Sequence, residues 1–176
     1  AGFTHWAKLN NLKQAAKTMN FLTEHGISSY GELESKLNAV SARRDTAHAE
    51  IKRIESRSAE LALVMKHAET YRQLKPLYDR YRKSNDKEKL LRGHESEIIL
   101  FEAAARELKR LGAVPLPTTE SMKTELATLS AEKERLLAEY KTARTEAQEY
   151  DTVKQNVDAL LTVPKEQEQQ RRHELE

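Results

Sequence analysis

A chain of 176 residues that is 38% apolar, 33% charged and 6% aromatic has too little greasy surface for a thick globular core. Its 30 basic and 28 acidic side chains nearly cancel to +2, so any affinity for nucleic acid has to come from local clustering. The absence of cysteine excludes disulfides and thiolate metal sites and fits a reducing cytoplasm.

Five glycines, four prolines and abundant Ala, Glu, Lys, Leu and Arg match long helices or coiled coils. The expected class is all-α: a long antiparallel coiled-coil hairpin, with a short three-helix bundle at one end and a small helical cap at the other. No apolar run approaches the ~20 residues of a membrane span, so no membrane insertion is expected. The chain opens AGFTHWAKLNNLKQ, without methionine or a signal-peptide pattern, and is expected to be a piece of a longer cytoplasmic protein.

The first helix is expected from about Thr4 to Glu24, with Leu9, Leu12, Ala16 and Met19 forming one apolar stripe. Gly26 closes it, since glycine takes the left-handed conformation at little steric cost. Residues 1–27 thus form an N-terminal helix that packs on the hairpin base near Val157, Leu160 and Leu161, with Trp6 at its edge. Ser29 and Glu32 then spell a reciprocal capping box, which starts the next helix near Tyr30.

The first coiled-coil arm, 28–72, carries Leu33, Leu37, Val40, Arg44, Ala47, Ile51, Ile54, Ser58, Leu61, Met65 and Ala68 in alternating steps of four and three. The second arm, 121–163, does the same through Met122, Leu126, Leu129, Lys133, Leu136, Tyr140, Ala143, Ala147, Tyr150, Lys154, Val157 and Leu161. Aligning the ends sets Leu33 against Leu161, Ala47 against Ala147, Ile54 against Tyr140 and Arg44 against Tyr150. Beyond lies a polar tail, 164–176, expected to be frayed or disordered.

Between the arms sit a helical tip, 73–112, and a proline-containing linker, 113–120. Pro76 is expected to kink or end the long helix, Ser84, Asn85 and Asp86 to turn the chain, and a further helix to follow Gly93 and close at Gly112. Tyr71, Tyr78 and Tyr81 are expected to pack with Leu74 on that helix. The tip also concentrates Arg72, Lys75, Arg80, Arg82, Lys83, Lys87, Lys89 and Arg92 against only Asp79, Asp86 and Glu88. Such a cluster neutralises phosphates and releases counterions; a solvated helix face and a protein-docking surface are the alternatives.

Enzymatic signatures are missing. The six histidines are spread along the chain with no ligand spacing, and there is no phosphate-binding glycine loop or nucleophile elbow. His94 beside Glu95 and Glu97 is read as a helix-start feature. The expectation is no catalytic residue, no metal and no cofactor in this chain.

The stretches HWAKLNNLKQAAKTMNFLTEHGISSYGELESKL, LRGHESEIILFEAAARELKRLGAVPLPT and EYKTARTEAQEYDTVKQNVDALL resemble the C-terminal region of relaxases, the mobilization nucleases of conjugative and mobilizable elements in Gram-positive gut bacteria. The resemblance implies a parent with an N-terminal, metal-dependent domain in which a tyrosine nicks one DNA strand. No residue of that chemistry maps onto this chain. The implied role is accessory: engaging origin-of-transfer DNA, or docking relaxosome or coupling proteins of the transfer machinery, with a rigid spacer that makes no direct DNA contact as the remaining alternative.

Overall fold

The structure, a computed structural model, describes the backbone of residues 2–173 and the side chains of residues 10–162. The expected position of Trp6 therefore lies outside the described side chains. The fold is all-α: α1 (Gly2–Glu24), α2 (Tyr30–Lys83), α3 (Lys87–Arg110) and α4 (Thr119–His173), with α2 packed on α4 and on α3. Among the described residues there is no strand, and no helix is long and apolar enough to cross a membrane.

The helix boundaries follow from local chemistry. Glu32 Oε2 accepts the Ser28 and Ser29 backbone N–H groups at 2.6 and 3.3 Å, while the Glu32 N–H donates to Ser29 Oγ at 3.2 Å. This is the capping box, extended by one residue. Gly26 (φ 62°) and Gly112 (φ 68°) end α1 and α3 in the same way. The Ile27 N–H donates to the Leu22 carbonyl at 2.8 Å and the Ala113 N–H to that of Leu108 at 2.9 Å. Each six-residue closure brings an apolar pair together, as the Schellman motif requires.

Two compact units make up the chain, Ala1–His48 with Leu137–Glu176, and Ala49–Leu136. In the first, α1 and the flanking parts of α2 and α4 form a three-helix arrangement. Its core joins Leu33, Tyr150 and Val153 with Phe21, Leu22, Ile27, Leu37, Val40 and Val157. The Phe21 ring meets Tyr150 edge-on at 5.1 Å. In the second unit Leu61, Val64, Ala68, Leu108, Ala113 and Met122 form the core, flanked by Met65, Tyr71, Leu111, Leu116 and Leu126.

The seams are placed as the heptads predict: every counted position from Leu33 to Ala68 and from Met122 to Val157 is buried or half-buried. Their register differs from end alignment. In the first unit Tyr30 Oη donates to Asp158 at 2.7 Å, Lys154 lies 4.0 Å from Glu34, and Arg43 pairs with Glu146 at 2.7 Å. In the second, Lys133 pairs with Glu55 at 2.7 Å. Within each unit these pairs sit about one and a half turns from the expected register at 3.6 residues per turn. Leu33 consequently packs on Tyr150 and Val153, Leu161 is exposed, and Arg44 pairs with Asp45 rather than with the Tyr150 ring. The Tyr150 ring fixes the first unit's register by filling the space between Phe21 and Leu33, a demand that simple end matching ignores.

Three further expectations are corrected. The stripe Leu12, Ala16 and Met19 faces water, with Leu12 71% and Met19 60% exposed, and Leu160 and Leu161 are exposed as well. α1 instead turns Thr18, Phe21 and Leu22 inward, because the ring contact with Tyr150 and the Leu22–Ile27 closure both require that face. α2 does not end at Pro76 but runs on to Lys83, so of the two outcomes expected there only the ending is corrected. And α4 continues as helix to His173, beyond the expected end, through a run of Glu, Gln and Arg that favours helix.

Candidate nucleic-acid interface

All eight basic residues of the tip belong to the second unit and all are exposed. Arg72, Lys75, Arg80, Arg82 and Lys83 fall on the last turns of α2, and Lys87, Lys89 and Arg92 on the first turns of α3. The turn is made by Ser84, Asn85 and Asp86: Ser84 Oγ accepts the Asp86 N–H at 3.1 Å, and Asp86 Oδ1 accepts the Lys89 N–H at 3.0 Å, capping α3. α3 therefore starts at Lys87, six residues ahead of Gly93. The expected break is present as a kink, since His94 (φ −141°, ψ 28°) leaves helical geometry and its Nδ1 lies 3.0 Å from Glu97 Oε2.

Aromatic packing fixes the two helices against each other. Phe101 stacks on Tyr71 at 4.8 Å and on Tyr78 at 4.2 Å, and Tyr81 leans on Tyr78 at 6.0 Å. Burial raises the Tyr78 hydroxyl above its usual pKa, helped by Glu102, which accepts its hydrogen bond at 3.3 Å. Tyr71 and Tyr78 are half-buried and pack on α3 through Phe101, as expected from the sequence, and Tyr81, also half-buried, joins them through Tyr78.

The cations divide into two groups. Arg72 donates from Nη1 to Thr119 Oγ1 at 2.7 Å and from Nη2 to the Pro117 carbonyl at 2.5 Å, tying α2 to the segment that leads into α4. Lys75 pairs with Asp79 at 2.9 Å; this hydrogen bond raises the lysine's pKa and holds the Asp79 carboxyl below its usual range. Arg92 lies 3.4 Å from Glu88. By contrast, no hydrogen bond or ion pair among the described residues engages the side chains of Arg80, Arg82, Lys83, Lys87 or Lys89. The structure thus narrows a sequence cluster of eight to five uncommitted charges on one corner.

Sequence counting did not single out the recess among them. Pro76, Asp79, Arg80, Lys83, Ser84 and Leu90 line a shallow depression of about 360 Å³. Residues 76, 79, 80 and 83 share one helix face by spacing, so that part was legible. Leu90 joins them only because the turn folds α3 back. Among the described residues no group of three or more His, Asp or Glu side chains is arranged to hold a metal ion. No protein-family model, no curated protein and no solved structure matches this chain.

Proposed function

We propose that this chain is a non-catalytic accessory helical domain of a DNA relaxase acting in conjugative transfer, contacting origin-of-transfer DNA through the α2–α3 corner. The observation that carries the DNA contact is the set of five exposed cations outside any hydrogen bond or ion pair, Arg80, Arg82, Lys83, Lys87 and Lys89, of which Arg82 and Lys83 act on Asp79 only through space. These side chains meet phosphate without breaking a hydrogen bond or ion pair and release counterions as they do so, whereas Arg72 and Lys75 would have to break existing bonds. The relaxase assignment rests on the resemblance of the three quoted stretches, and with it comes a parent bearing the metal-dependent nicking domain.

The test is a titration of this 176-residue chain with a duplex carrying the element's transfer origin, at 50 and 200 mM salt. Five phosphate contacts predict a loss of affinity of roughly a few hundredfold between those conditions. Absence of binding at 50 mM, or binding indifferent to salt, overturns the DNA contact.

One observation favours a second reading, a docking arm for relaxosome or coupling proteins. Leu12, four residues before Ala16, and Met19, three after it, form an outward apolar stripe on α1. Capture of a transfer protein without DNA, abolished by Leu12→Lys with Met19→Lys, supports it; capture that survives both substitutions removes it.

A further inference from the structure

We infer that the recess between the end of α2 and the start of α3 seats an unpaired nucleobase, so that the corner selects single-stranded over double-stranded nucleic acid. The inference rests on the reading of this corner as a phosphate-contacting surface and specifies which form of nucleic acid it takes. Its basis is the composition of the recess. Two apolar surfaces, the Pro76 ring and the Leu90 side chain, stand beside two uncommitted cations, Arg80 and Lys83, with the Ser84 hydroxyl between the helices.

A surface built only to meet a duplex backbone needs charge alone, and the flat faces of duplex bases are covered by their stacked neighbours. The depression of about 360 Å³ is shallow and open, a bed against which one face of a ring can lie rather than a cleft that encloses it. An unpaired base is such a ring, and apolar side chains are a usual bed for one taken out of the stack. With the base on Pro76 and Leu90, its phosphates fall toward Arg80 and Lys83, and the strand then tracks along Arg82, Lys87 and Lys89.

Asp79 also lines the recess, and it is the one acidic group there. Lys75 holds its carboxylate at 2.9 Å, which offsets its repulsion of a phosphate. The remaining lone pairs face ring hydrogens rather than phosphate oxygens, since a carboxylate accepts and never donates when ionised. A base presenting an imino or amino hydrogen is therefore favoured at this place.

Fluorescence anisotropy of the 176-residue chain with three labelled 12-residue probes at equal ionic strength tests this. The probes are oligo-dT, the same backbone without bases, and a 12-base-pair duplex. Oligo-dT is expected to bind about tenfold more tightly than the other two, and Leu90→Ala to remove that advantage while leaving duplex affinity unchanged. Circular dichroism of Leu90→Ala checks that helix content is retained, and Lys83→Ala supplies a second variant, weakening all three probes. Equal affinity for oligo-dT and the abasic strand overturns the base seat alone and leaves phosphate contact standing. If no probe binds even at 50 mM salt, the base seat and the DNA contact both fall.

Discussion

Asn156 donates from Nδ2 to Thr18 Oγ1 at 3.1 Å, and that hydroxyl in turn donates to the Gln14 carbonyl at 2.9 Å. Thr18 is only 2% exposed, so this polar chain lies inside the contact between α1 and α4. Asn156→Ala leaves the buried hydroxyl short of a donor and is expected to cost about 1–2 kcal/mol. Thr18→Val combined with Asn156→Leu removes both partners and is expected to be near neutral. A double-mutant cycle by urea unfolding measures the difference; additive costs would mean that the bond contributes nothing.

The Glu32 carboxylate sits at the start of α2 on two backbone N–H groups and the Ser28 hydroxyl. The Ser28 backbone N–H, then the Ser28 hydroxyl, lower its pKa below the ordinary value of 4.5. A depressed carboxyl contributes stability that is complete above its unfolded pKa and disappears as pH falls through the folded one. Unfolding midpoints recorded from pH 7 to pH 3 are expected to fall less steeply below about pH 4.5 in Glu32→Gln than in the parent. Parallel curves would place the acid sensitivity elsewhere.

Two glycines of the second unit are expected to respond to alanine with opposite signs. Gly112 has φ 68°, where an added Cβ meets no neighbour but the backbone conformation itself is strained, so Gly112→Ala costs about 1 kcal/mol. Gly93 lies within α3 without positive φ and with open space around it, so Gly93→Ala stabilises by roughly 0.4–1 kcal/mol. Thermal unfolding of the two variants side by side decides this, and a loss at Gly93 would show that the kink at His94 depends on glycine.

Arg72 and Arg80 separate scaffold from interface. Arg72→Ala removes the two bonds to Pro117 and Thr119 and is expected to lower the unfolding midpoint while leaving DNA affinity close to the parent. Arg80→Ala breaks nothing internal and is expected to reduce the log–log salt slope of DNA binding by about one. Anisotropy and calorimetry on both variants read the two effects, and an exchange of roles would reverse the assignment of the charges.

Ala143 is fully buried in the first unit, where Ala47 and Ala147 are also nearly inaccessible. Small residues at these positions let helix backbones approach closely. Ala143→Leu adds volume where none is open and is expected to destabilise by about 1–3 kcal/mol, whereas Leu137→Ala, at a position 45% exposed, costs much less. Urea midpoints of the pair provide the check.

Much of this fold was legible because it is written locally. The Ser29–Glu32 box, the two closing glycines and the steps of four and three each depend on a few neighbouring residues, and all reappear in the structure. What failed depended on partners distant in the chain. The register is set by where the Tyr150 ring fits and where Arg43, Lys133 and Lys154 meet Glu146, Glu55 and Glu34 of the facing helix, none of which spacing within one helix reveals. For α1, counting aliphatic residues favoured Leu12 and Met19, but the larger Phe21 ring decided the face. At the tip the sequence showed the charge cluster and could not show which cations were already spoken for.

Pro76 interrupts nothing visible in α2, yet its ring deprives the Arg72 carbonyl of the amide that would close that turn. The helix is one rung short just where the uncommitted cations begin. Phe101 spans that gap from the side, since it stacks on Tyr71 before the proline and on Tyr78 after it. The cationic corner is thus braced by ring stacking just where the ladder of α2 lacks a rung.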